Sequence, residues 1–261
     1  LLPDKDNPFF NDVIKGFRRA EAELKDYGVS VELIHIRGFD AQTHIAAIKK
    51  AAKKRYKGMC ITTLDLPEVQ REVFALTQGG TPVVSVNTDI PDSGRICYVG
   101  TDYKKAGYTA AGMLSLITKE KQKLLIVSGS FHMRGHNDRI KGFCSGLAKH
   151  GIAYEIIKTV EAFDNNEDSY ILTHTILSKH PEITGVFVVA GGVPGVYRAI
   201  KELGRSSIAL LVFDDLPEIK KIIKEGGIAF TICQEPETQG YIGIMRLFSY
   251  LMEEGKKPPQ D

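Results

Sequence analysis

Short, unbroken apolar runs recur along the whole chain, at 29–36 (VSVELIHI), 58–64 (GMCITTL), 81–87, 123–130, 185–191, 208–214 and 228–234. Strands covered on both faces need such runs, whereas a strand with one wet face alternates apolar with polar. Amphipathic stretches of helical length lie between most of them. In 9–28, Phe10, Val13, Ile14, Phe17, Ala20 and Leu24 fall at three-to-four-residue spacing, and Gly28 stands past the end as a C-cap. Strand alternating with helix over an entire chain predicts an α/β protein with doubly wound parallel sheets and right-handed crossovers.

A chain of 261 residues accommodates two compact lobes. Lys+Arg 34 against Asp+Glu 32 leaves a net charge of +2, so no overall field asks for nucleic acid or an anionic membrane surface. No apolar run has the length of a membrane span, and no membrane partner is expected. The four cysteines (Cys60, Cys97, Cys144, Cys233) show no CxxC spacing, and apolar surroundings for three of them suit reduced core thiols. A soluble, cytoplasmic, two-lobed protein is the expectation.

An internal echo supports two lobes. The stretch 58–89 and the stretch 185–215 both read strand, loop, helix, strand, and Gly58 and Gly185 each stand nine residues before a proline, Pro67 and Pro194. Their closing strands end in Asn87-Thr88 and in Phe213-Asp214, one residue out of register. Ligands of open α/β sheets bind outside the carboxyl ends of strands, so two such lobes facing each other would form a cleft.

Candidate site residues follow from that placement. Asn7 can cap the first helix, and Phe9 and Phe10 are adjacent, so they cannot share one helix face and one of them must look away from the core. The pair reads either as a hydrophobic staple with a buried ring or as an aromatic wall for a sugar, with Asn7 as a polar partner. Asn87, Thr88, Asp214 and Gln234 lie at other strand ends, where amides and carboxylates suit vicinal hydroxyls; singly, each also reads as a turn or capping residue. Catalytic constellations are thin. His35 falls in a strand, His44, His150, His174 and His180 read as helix-surface or helix-end residues, and His132 and His136 flank a loop, FHMRGHNDR. No metal-ligand spacing, GxSxG elbow or GxxxxGK[ST] loop is present, so neither metal nor cofactor is expected. Ala190-Gly191-Gly192-Val193-Pro194-Gly195, with Asp214 about twenty residues on, approximates a dinucleotide fingerprint and keeps a dinucleotide-dependent enzyme open as an alternative.

The segments NPFFNDVIKGFRRAEAEL (7–24), VGTDYKKAGYTAAGML (99–114), NDRIKGF (137–143), VFDD and TICQ together resemble the type I periplasmic-binding-protein fold, in the order seen in that superfamily. It holds ribose-type sugar-binding proteins and the ligand-sensing cores of LacI/GalR transcription regulators. The resemblance covers essentially the whole chain. It implies two flavodoxin-like lobes joined by three crossing strands, with an N-terminal lobe of 1–102 plus 235–261, a C-terminal lobe of 103–234, a third crossing near or beyond Asp261, and a ligand in the cleft. Asn7, Phe9 and Phe10 resemble first-lobe ligand residues; Asn87 and Thr88 stand where many sugar binders carry Asp-Arg. Asn137 stands where an arginine often reaches the sugar, with Arg139 structural. Phe213 and Asp214 resemble the second-lobe aromatic–carboxylate pair, and Gln234 the hinge-side amide.

Scattered cysteines, the YVGTDYKKAGYTAAGML segment and the AGGVPGVYRAI stretch resemble the regulators. The expectation is therefore the effector-sensing core of a LacI-type regulator, whose helix-turn-helix domain is absent from this chain. It would bind a sugar-like effector, act on operator DNA through that absent domain, and form a homodimer through helices around Leu66, Val69 and Val73, residues that a buried helix face explains equally well. A periplasmic or lipid-anchored sugar receptor of a transport system is the alternative.

Overall fold

The computed structural model describes residues 1–3 and 7–253. In chain order it runs β1 (Leu2–Pro3), α1 (Phe9–Glu23), a 3-10 turn (Lys25–Tyr27), β2 (His35–Ile36), α2 (Ala41–Ala52), β3 (Met59–Ile61), α3 (Pro67–Gln78), β4 (Val83–Val86) and β5 (Cys97–Val99). It continues with α4 (Tyr103–Ile117), β6 (Gln122–Ser128), α5 (Arg134–Lys149), β7 (Tyr154–Glu161), α6 (Asn166–Lys179), β8 (Gly185–Val188), α7 (Val193–Glu202), β9 (Ala209–Phe213), α8 (Pro217–Lys224), β10 (Phe230–Ile232) and α9 (Pro236–Met252). The expected third crossing lies outside the described residues.

Two compact units result. The first comprises Leu1–Thr101, His132–Arg134 and the chain from Glu235; the second comprises Asp102–Phe131 and Gly135–Gln234. The second unit holds a five-stranded sheet of order β10-β9-β8-β6-β7, parallel at every pairing. The first holds a β3-β4-β5 sheet and a β1-β2 pair, also parallel. Leu1 hydrogen-bonds to Cys60 and Thr62, which seats β1 beside β3 and gives this unit the same strand sequence, β2-β1-β3-β4-β5.

The unbroken apolar runs have a direct structural cause. In the second unit Leu125, Val127, Val186, Val188, Leu210 and Val212 face α6, α7 and α8, while the intervening Leu124, Ile126, Phe187, Val189, Leu211 and Phe213 face α4 and α5. Both faces of these three central strands, β6, β8 and β9, are buried, so both phases of the alternation must be apolar.

Several expectations are corrected at this level. Of the run 29–36 only His35–Ile36 is strand, because β1 offers just two residues to pair with. Val29, Val31 and Leu33 instead pack, partly buried, on the α1 side of the core. Helix α1 ends at Glu23, and Gly28, at φ +73°, caps the following 3-10 turn. His44 is buried, not on the surface, with Nδ1 2.7 Å from Thr63 Oγ1 and Nε2 3.1 Å from Gly38 O. Since a carbonyl only accepts, Nε2 carries the proton and Nδ1 accepts from the threonine; burial lowers the imidazole pKa, consistent with the neutral ring. Helix α5 takes in His136, leaving only the first part of FHMRGHNDR as loop. Val69 and Val73 are fully buried in the first unit's core and offer nothing to a dimer partner.

Candidate functional site

In the second unit the chain leaves β9 at Phe213 and turns sharply: Asp214 has φ +73°, and its N–H donates to Ile232 O on β10 at 2.9 Å. Thr231 Oγ1 donates to Asp214 O at 2.5 Å, and Gln234 Nε2 donates to the carboxylate Oδ1 at 2.5 Å. Phe213, Asp214 and Gln234 are thus brought together. Beneath them Arg139 is buried, bonded through Nη1 to Val189 O, with its guanidinium 3.8 Å from the Phe213 ring centroid and 4.5 Å from that of Tyr103. Desolvation pushes the Asp214 pKa up to about 6, against the opposing pull of Arg139 and the Gln234 hydrogen bond. The Phe213 ring itself is 1% exposed and belongs to the core. Asn137 braces the start of α5, its Nδ2 donating to Phe131 O at 2.8 Å.

The first unit repeats the turn. Asn87 follows β4 at φ +67°, and its N–H donates to Val99 O on β5 at 2.9 Å. Val86 pairs with Val99 as Phe213 pairs with Ile232, so Asn87 corresponds to Asp214 and Thr88 to Asp215. This removes the one-residue offset read from the sequence. Asn87 Nδ2 donates to Gln239 Oε1 at 3.5 Å, and Tyr98 Oη donates to Asn87 O at 2.8 Å. At the start of α1, Phe9 N–H donates to Asn7 Oδ1 at 3.1 Å. Phe9 and Phe10 are both 5% exposed and meet edge to face at 5.2 Å, so neither looks away from the core. The first turn of α1 packs within a cluster that also takes residues from β4 and α9, and adjacent rings find partners on different sides of it.

Sequence reasoning passed over Phe163, Asp164 and Gln239. Phe163 lies two residues past the end of β7, at φ +50°, and is 52% exposed. An aromatic immediately before the turn-forming run Asp164-Asn165-Asn166 was the available signal, but that run reads first as a helix cap, and Asn165 does cap α6. The dinucleotide reading of 190–195 meets a specific obstacle. Gly191 N–H already donates to the Asp164 carboxylate at 3.0 Å, and a carboxylate at that place repels a pyrophosphate. Among the described residues no group of His, Cys, Asp and Glu could hold a metal ion, and no helix is long and apolar enough to cross a membrane.

Polar side chains at the carboxyl ends of parallel strands stand where open α/β sheets hold their ligands. Residues 1–257 match the periplasmic binding protein domain, and the chain belongs to that family. It is 22% identical over 246 residues to the ribose import binding protein RbsB of Salmonella typhimurium, covering 94% of this chain and 81% of that protein. It is 23% identical over 272 residues to the D-allose-binding periplasmic protein of Escherichia coli, covering 100% and 86%. Among solved structures, GanP, a glucose-galactose binding protein from Geobacillus stearothermophilus, superposes with a TM-score of 0.90 at 30% identity over 99% of this chain and 91% of its own. An ABC transporter solute-binding protein from Burkholderia graminis, in complex with D-arabinose, gives 0.91 at 27% identity over 98% and 89%.

These relatives, among them an import binding protein, a periplasmic binding protein and an ABC transporter solute-binding protein, overturn the expectation of a LacI-type sensor core, together with its operator-DNA partner and its cytoplasmic location. They lend no support to a homodimer. The relatives are binding proteins, not enzymes, and so is this chain. The misleading cues have local causes. In AGGVPGVYRAI, Gly192 sits at φ +90°, and a Cβ on Gly195 would lie 1.8 Å from Asn166 O, so these glycines serve helix packing. Cys60 and Cys97 are buried, Cys144 is half-buried and Cys233 exposed. Burial pushes the Cys60 thiol up to about 12, which keeps it unreactive in any compartment.

Proposed function

We propose that the chain is the sugar-binding receptor of an ABC-type import system, working outside the cytoplasmic membrane, in the periplasm or lipid-anchored, and delivering its ligand to a membrane transporter. The observation that carries this reading is the Asp214–Gln234 pair, set by a left-handed backbone at the end of β9 and β10. A carboxylate accepts from two vicinal hydroxyls, and an amide both donates and accepts, which suits a monosaccharide. In the same reading Asn7, Asn87, Thr88 and Asn137 are further polar contacts, while the buried rings of Phe9, Phe10 and Phe213 hold the polar groups in place. The half-exposed Phe163 ring offers a face to sugar C–H groups. The ligands in the relatives' names, among them ribose, allose and D-arabinose, support a search among aldopentoses and aldohexoses.

The test is a thermal-shift and calorimetric screen of aldopentoses, aldohexoses and ketoses, with NAD included as the outsider. A ligand at a hundred times its Kd should stabilise the protein by about 2.7 kcal/mol. Asp214→Ala should abolish the shift. Silence across the sugars, or a sugar response untouched by Asp214→Ala, would overturn the reading. Recovery of the full-length product from the cytoplasmic fraction of its host would overturn the location.

A further inference from the structure

We propose that Asp164 is a positioning residue: its carboxylate anchors the turn that ends β7 to the backbone ahead of α7, and thereby sets where the Phe163 ring stands. The proposal rests on the sugar-receptor reading only for what the ring is used for; the anchoring stands on local geometry.

Phe163 and Asp164 are consecutive left-handed residues, at φ +50° and +57°. That conformation is uncommon for aspartate and strained for a bulky aromatic, and it persists only where the surroundings over-determine it. The surroundings here do so. Phe163 N–H donates to Gly129 O at 2.9 Å, at the end of β6, and Asn165 N–H donates to Ala162 O at 2.8 Å. Asn165 Oδ1 then accepts from Glu167 and Asp168 N–H at 2.8 and 3.0 Å, which starts α6. Asp164 Oδ1 accepts from Gly191 N–H at 3.0 Å and so ties this turn to the end of β8.

Two glycines make room for that one carboxyl group. A Cβ on Gly129 would stand 2.2 Å from Asp164 Oδ1, and a Cβ on Gly191 would stand 2.9 Å from Asp164 Cβ. The ends of β6 and β8 are therefore pared back around the Asp164 side chain. With backbone and carboxylate both held, Phe163 stays 52% exposed although the residue before it, Ala162, is wholly buried.

Three variants separate anchoring from backbone strain. Asp164→Gly accepts the left-handed conformation but has no acceptor; Asp164→Asn keeps an acceptor oxygen and tolerates the conformation; Phe163→Ala removes the ring. With the sugar found by the screen, Asp164→Gly should weaken binding by about tenfold, the loss of one charge-assisted hydrogen bond, and Asp164→Asn by less. In the Phe163→Ala background Asp164→Gly should change affinity by less than about twofold, because its effect runs through the ring. Equal losses in both backgrounds, or wild-type binding by Asp164→Gly, would overturn the proposal.

The ligand-free protein supplies a second readout, which decides the matter even if no sugar binds and the receptor reading itself has failed. Asp164→Gly should speed hydrogen exchange at the Gly191 amide by about tenfold, and should shift the fluorine resonance of Phe163 in protein labelled with fluorophenylalanine. Asp164→Asn should restore both. If neither signal moves in Asp164→Gly, Asp164 does not anchor the turn.

Discussion

Asp214 carries the clearest residue-level consequence. Its pKa in the folded protein is about 6, against 3.8 for an ordinary aspartate, because desolvation outweighs Arg139 and Gln234. The folded state therefore holds this proton more tightly than the unfolded state, and ionising Asp214 penalises folding above pH 6. The penalty is relieved as pH falls from 6 towards 4. A shift of this size corresponds to about 3 kcal/mol, which partial solvent access reduces to roughly 1–2 kcal/mol. Stability relative to Asp214→Asn should rise by that amount between pH 7 and pH 4 in parallel denaturation series; parallel curves would disprove the assignment. Sugar affinity should fall over the same interval, since a protonated carboxyl loses acceptor capacity, and the fall should be absent in Asp214→Asn. Asp214 and Gln234 were legible in the sequence because both close an unbroken apolar run. Phe163 and Asp164 were not, because left-handed backbone at non-glycine residues leaves no mark in composition.

At the scale of elements, helix pairs are drawn together by glycine. A Cβ on Gly16 would lie 2.0 Å from Glu237 O, and one on Gly240 would lie 2.1 Å from Val13 O, so α1 and α9 cross backbone against backbone. In the second unit Gly107 and Gly142 do the same for α4 and α5: a Cβ on either would lie 2.0 Å from a carbonyl oxygen of the other helix, Arg139 O and Lys104 O respectively. Gly240→Ala must push two helices apart and should cost about 2–3 kcal/mol. Gly28→Ala meets nothing within 4 Å and carries only the left-handed strain of about 1–2 kcal/mol. Melting curves should therefore show the larger drop for Gly240→Ala, and equal drops would refute close packing as the reason for glycine there. These crossings were illegible in the sequence, where an interior helical glycine reads as a weakness. The run 29–36 misled in the opposite way: its apolar residues are buried, but strand needs a neighbour, and β1 supplies only two residues.

For the whole molecule, the architecture was legible while the biological class was not. Regulators and import receptors use the same alternation of strand and helix, and the glycines that resembled regulator sequence answer to packing around α7. Charge gives a test at this scale. The chain has a net charge of +2, and a neutral sugar displaces no counterions, so affinity should stay within about twofold between roughly 50 and 500 mM salt. A steep loss with salt would point to a charged ligand. The matching turns after β4 and β9 place an amide, Asn87, and an acid, Asp214, on one and the same backbone. A change of cargo then requires no new architecture. In the proposed receptor, selection could rewrite either copy of this turn while its twin keeps the old chemistry, so a lineage of such proteins would drift from one sugar to the next by single substitutions without passing through an intermediate that binds nothing.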